Sequence, residues 1–91
     1  MDWNEAAEEL LEAILSRTPR PVREQTGDVL RETAEALAQE EGRSRVGTES
    51  VIAAWVKSTP APLRSDLSRQ LEQLGFSPED YRWLFEEDGT S

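Results

Sequence analysis

The chain contains no cysteine and no histidine. The first absence removes disulfides, iron–sulfur ligation, thiolate zinc sites and thiol nucleophiles together. The second removes the side chain whose unperturbed pKa suits proton transfer near neutrality, and with it the commonest transition-metal ligand. Lysine is almost missing too: Lys57 stands alone among ten basic residues, the rest being arginine. Such a bias follows either from genome composition or from a need for forked hydrogen bonding. No apolar run approaches the length of a membrane span, and the N-terminal residues lack the basic head and hydrophobic block of a signal peptide. A cytoplasmic location without membrane contact is the default expectation.

What is abundant is acid. A net charge of −9 opposes phosphate backbones and anionic lipid, and nothing concentrates the basic residues, so direct nucleic-acid binding is not expected. Apolar residues make up 36% of the chain, above what a disordered tail carries, so the chain should fold. Ninety-one residues are too few for two independent cores. The expectation is a single all-α domain over residues 1–91, a compact bundle of about five short helices.

Helix signals recur five times. From Trp3 to about Arg17, the residues Trp3, Ala7, Leu10, Leu11, Ile14 and Leu15 keep helical spacing while Glu5, Glu8, Glu9 and Glu12 take the other side. Thr18-Pro19-Arg20-Pro21 breaks that helix and opens a second, because proline fits a first helical turn but not a helix interior. The second helix runs to about Glu41, with Val22, Thr26, Val29, Leu30, Thr33, Ala34, Leu37 and Ala38 as its expected buried stripe and Gly42 as its stop. Gly27 falls inside it, where a close helix crossing or a tolerated weak spot accounts for it equally well.

After a loop over Arg43 to Gly47, Thr48 can cap a third helix carrying Val51, Ile52, Trp55 and Val56. Thr59-Pro60-Ala61-Pro62 opens a fourth, with Leu63, Leu67, Leu71 and Leu74 on one stripe and Gly75 at its end. Ser77-Pro78-Glu79-Asp80 starts a fifth, to about Glu87, followed by a fraying tail over Asp88 to Ser91.

An internal echo appears at a shift of 41 residues. Glu8, Ala13, Thr18, Pro19, Pro21 and Arg23 align with Glu49, Ala54, Thr59, Pro60, Pro62 and Arg64. Either a helix–TPxPxR–helix unit is duplicated, with Arg23 and Arg64 as equivalent anchors, or helix corners independently favour threonine and proline.

Trp3, Ala7-Glu8 and Leu11, then Pro21-Val22-Arg23, then Ala34-Glu35, Ala38 and Gly42, then Val46, Glu49, Val51 and Ala54 follow a recognisable order. Over about residues 3–57 the chain resembles the small domain named for the C-terminal part of the 57 kDa subunit of light-independent protochlorophyllide reductase, a domain that also occurs in short stand-alone proteins. Gly47-Thr48 departs from the threonine and proline usual there, and about one extra helical turn lies between Arg23 and Ala34. Residues 58–91 read as a C-terminal helical extension. The resemblance implies an auxiliary or interaction role, because the cysteines of the reductase chemistry lie outside that domain.

No catalytic, cofactor-binding or metal-binding residue stands out. Glu5 with Glu9 and Glu8 with Glu12 lie one turn apart, but a bundle di-iron site also takes histidines, so a solvated acidic face is the better reading. Ser58 beside Lys57 is a poor nucleophile pair, since adjacent helical residues point apart. Trp3 and Trp55 sit on apolar stripes and read as core.

In the last helix Tyr81, Leu84 and Phe85 define a buried face that Trp83 leaves toward Asp80 and Glu87. There it is either an interface hot spot or a cover folded over Phe76. The candidate interaction residues are therefore Trp83, Tyr81, Glu87, Arg23 and Arg64. The expected activity is that of a non-catalytic interaction or accessory module with a protein partner, a basic one fitting best; pairing with a second copy, in a histone-like manner or otherwise, stays open. Two alternatives stand beside it: an accessory domain covering a tetrapyrrole or other planar ligand, and an acidic mimic of nucleic acid that blocks a basic protein.

Overall fold

A computed structural model of the chain describes residues 2–82. Four α-helices account for most of them: α1 (Glu5–Ser16), α2 (Arg20–Glu40), α3 (Thr48–Ser58) and α4 (Ser65–Gln73). Short 3-10 turns cover Ala61–Leu63 and Pro78–Tyr81, and the two-residue strands β1 (Asp2–Trp3) and β2 (Arg45–Val46) pair in parallel. The count is four rather than the five expected: where the fifth was expected to start there is only the second of those turns, and the rest of its expected span, to Glu87, lies outside the described residues. No helix among the described residues is long and apolar enough to cross a membrane. The described residues fall into two compact units, divided between Ser58 and Thr59.

In the first unit α3 lies mainly against α2 and also against α1. The buried face of α2 is built from small side chains, Gly27, Ala34 and Ala38, around a single Leu30. That choice lets neighbouring helices approach closely. At Gly27 the approach is by Leu15 of α1, whose Cδ1 would stand 3.2 Å from an added Cβ. A close crossing is therefore the reason for a glycine in this helix. Into the space come Ala7, Leu10, Leu11 and Ile14 of α1, and seven consecutive residues of α3, Ser50 to Val56, are buried.

The stripe expected on α2 needs correction. Val22 and Val29 are 44% and 42% exposed, and Thr26, Thr33 and Leu37 are half-buried. The buried stripe is rotated toward Gly27, Leu30, Ala34 and Ala38 because Gly27, not Val22 or Val29, marks the contact with α1.

Trp3 differs as well. It does not open α1: the Asn4 side chain caps the helix by accepting from the Ala6 N–H at 3.2 Å, and Trp3 is extended in β1. There its indole Nε1 donates to Glu35 Oε2 at 2.9 Å and the Arg31 guanidinium lies 5.1 Å above the ring centroid. With the Asn4 N–H donating to the Val46 carbonyl at 2.9 Å, Trp3 ties the chain start to α2 and β2 together.

Helix ends obey their sequence signals closely. α2 ends with the Arg43 N–H donating to the Ala38 carbonyl at 2.8 Å and the Gly42 N–H to Gln39 at 3.0 Å, the paired closure that needs a left-handed residue between; Gly42 supplies it at φ 73°. In the second unit α4 ends the same way through Gly75 at φ 93°, with Phe76 donating to Leu71 at 2.9 Å. Leu67 and Leu71 of α4 are buried, whereas Leu63, expected on the same stripe, is 56% exposed because it sits in the 3-10 turn ahead of the helix. Thr48 is the first helical residue of α3 rather than its cap, since the Gly47 carbonyl accepts the first bond, from Val51 at 3.2 Å.

Three substitutions test this packing. Gly27→Leu should cost about 1–3 kcal/mol in urea unfolding, since the added carbons overpack the Leu15 contact, and Leu15→Ala in the same chain should return part of the loss. Ser50, 2% exposed, has a hydroxyl without a hydrogen-bond partner, so Ser50→Ala should raise stability by about 1 kcal/mol in the same assay.

Candidate interaction surface

Arg23 and Arg64 occupy equivalent places in the two TPxPxR corners, and they do the same thing. Half-buried Arg23 donates to the Thr18 carbonyl from Nε at 3.3 Å and from Nη2 at 2.9 Å. Arg64 donates to the Thr59 carbonyl from Nε at 2.8 Å. In each corner the acceptor lies just past a helix end and immediately before a proline, whose nitrogen has no hydrogen to donate. An arginine five residues on, its fork of donors folded back, satisfies that carbonyl and locks the turn. Thr18 adds a bond of its own, Oγ1 to the Ile14 carbonyl at 3.0 Å. Both guanidinium groups are therefore engaged inside the chain.

Tyr81 is half-buried, edge-on to Phe76 with ring centroids 6.4 Å apart at 73°. Trp83 and Glu87, the other two expected interaction residues, lie outside the described residues, as do Leu84 and Phe85.

Three features of the first unit remain open to a partner. On α1 the carboxylates of Glu5, Glu8, Glu9 and Glu12 are all exposed, on the side away from Ala7, Leu10, Leu11 and Ile14. A shallow depression of about 400 Å³ is lined by Asn4, Gly42, Arg43, Ser44, Arg45 and Gly47. Arg43 is already engaged there, with Glu41 at 3.2 Å and Glu49 at 3.4 Å. A second depression, of about 310 Å³, runs along α2 between Val22, Gln25, Thr26, Val29, Leu30 and Ser58. Its exposed valines were missed from sequence because a single helical period cannot say which of two adjacent apolar stripes faces inward. Among the described residues no cluster of acidic side chains is arranged to hold a metal ion.

Comparison with protein-family models, with curated proteins and with solved structures found no match to this chain.

The corner bonds are testable. Arg23→Met and Arg64→Met should each lower stability by about 1–3 kcal/mol in chemical denaturation, the usual worth of a hydrogen bond from a charged group. Lysine at either position should restore little, since its ammonium lacks the planar fork.

Proposed function

We propose that the chain is a non-catalytic protein-interaction or accessory module whose acidic α1 face meets a basic protein partner. The observation that carries this reading is the placement of Glu5, Glu8, Glu9 and Glu12, four exposed carboxylates on one helix with no basic residue among them. A row of like charge concentrates the field on one side of the domain and draws a cationic surface toward it. The overall charge of −9 works in the same direction.

The likeness to the small protochlorophyllide reductase domain belongs to the same reading, as an accessory role without reductase chemistry. Its support is that most of the residues carrying the likeness hold the first unit together: Ala7, Leu11, Ala34, Ala38, Val46, Val51 and Ala54 are fully buried, Trp3 and Glu35 bond to each other, and Arg23 closes a corner, while Glu8, Pro21 and Val22 are exposed. Those are roles in packing rather than in chemistry. The alternative of a planar ligand asks for an apolar pocket with arginine beside it. Of the two depressions described above, the apolar one has no arginine in its lining and the arginine-bearing one is lined mainly by glycine and polar side chains.

The test is capture with the immobilised chain from its native host, with bound proteins identified by mass spectrometry and their affinity measured against salt. A basic protein should bind, weaken as salt rises, and lose about tenfold or more in affinity when Glu5, Glu8, Glu9 and Glu12 are all changed to glutamine. Affinity that ignores both salt and the glutamine variant would overturn the reading.

A further inference from the structure

We infer that two copies of this chain pair through α2, the two helices lying antiparallel. This deepens the interaction reading by naming a partner, and it uses a different helix from the acidic face.

The first observation is a second stripe on α2. Val22, Thr26, Val29, Thr33 and Ala36 succeed one another at steps of four, three, four and three, the spacing of a helix–helix seam, and the next step of four reaches Glu40 at the helix end. Val22, Val29 and Ala36 are exposed or nearly so at the helix surface, while Thr26 and Thr33 are half-buried. Two of the three large hydrophobic side chains found exposed among the described residues are on this one seam. None of its first five side chains is larger than valine, so a second backbone can approach closely, and the depression beside Val22, Val29 and Leu30 is room for such an approach.

The second observation identifies the occupant. A helix by itself favours acids in its first turn and bases in its last, and α2 is the reverse. Its first turn holds Arg20 and Arg23 and no acid, and its last turn holds Glu40 and no base. Arg23 is turned back onto the Thr18 carbonyl and Glu41 at the cap pairs with Arg43, so the charges that the dipole opposes are Arg20 at one end and Glu40 at the other. An antiparallel neighbour of the same sequence removes both conflicts at once, setting Arg20 of each copy beside Glu40 and the C-terminal carbonyls of the other. A parallel neighbour would instead bring like ends together.

With the two-fold axis beside residue 31, Val29 faces Thr33 of the second copy and Thr26 faces Ala36. Such an isologous contact is self-complementary and closes at two chains. The same register places Glu32 near its own symmetry mate, a like-charge contact that weakens the pair.

Sedimentation velocity of the full chain from about 10 to 500 µM tests this, a range suited to a small, partly polar interface. A reversible monomer–dimer equilibrium is expected. Val29→Arg should weaken it by about tenfold or more with unchanged circular dichroism, because the residue is exposed in the single chain, and Glu32→Gln should tighten it. Arg20→Glu should weaken it, and adding Glu40→Arg in the same chain should restore it, which only an antiparallel pairing of α2 predicts. A chain that stays monomeric across the range, a dimer indifferent to Val29→Arg, or a charge swap without rescue would each overturn the inference. The salt-dependent capture of a basic protein is read separately, so a monomer that still binds one sinks this pairing alone, and a dimer that binds none sinks the acidic-face reading alone.

Discussion

Close approach along α2 is the constraint on which the first unit depends. A unit of fewer than sixty residues has little apolar surface to bury, and it gains most by bringing helix backbones together rather than by stacking large side chains between them. Gly27, Ala34 and Ala38 make the inner side of α2 almost flat, so Leu15 of α1 can settle on Gly27 while α3 buries seven consecutive residues. The cost in helix propensity at Gly27, up to about 1 kcal/mol, is offset by the contact it permits. The ends of the arrangement are then fixed by polar devices: the Asn4 cap, the Trp3 tie to Glu35 and Val46, and the left-handed closure at Gly42.

The two corners show a different solution. Threonine, two prolines and an arginine recur at a spacing of 41, and in both corners the arginine returns to the threonine carbonyl. Beyond the arginine the two segments differ in form. After Arg23 the chain runs on as one long helix, whereas after Arg64 it makes the shorter α4, ends at Gly75 and turns again at Pro78. The same corner chemistry thus precedes helices of different length, because the corner bond closes within six residues and does not depend on the length of the helix behind it.

This explains what could be read in the sequence and what could not. Local signals were legible: prolines starting helices, Gly42 and Gly75 stopping them, and an arginine set beside each corner. Each depends on residues a few positions apart. Trp3 was not legible as an extended tie, because its indole partner, Glu35, is thirty-two residues away and apolar spacing continued through it into α1. Nor was the true inner face of α2. Eight residues from Val22 to Ala38 satisfied a helical period, yet they spread over a wider arc than one neighbour can cover; only the position of Leu15 against Gly27 decides which part is inside. The four carboxylates of α1, by contrast, needed no partner to be placed outward, since nothing in the chain offers them a reason to be buried.

The excess width of that arc is itself informative. A helix that packs on one side only is served by a single apolar stripe with charge opposite it. α2 has instead an inner stripe of glycine, alanine and leucine, a flanking seam of valine, threonine and alanine, and its charges pushed to the remaining side and the two ends. If solubility alone shaped the outer surface of a chain with nineteen acidic residues, acids would have been expected on that seam, as they are on α1. Arg23 has its place at that end from the corner bond, but an uncharged seam over five positions and an arginine at position 20, where the dipole disfavours it, fit a surface matched to something outside the single chain. Its charge order runs from basic to acidic along the helix, so the simplest match is the same helix turned end for end.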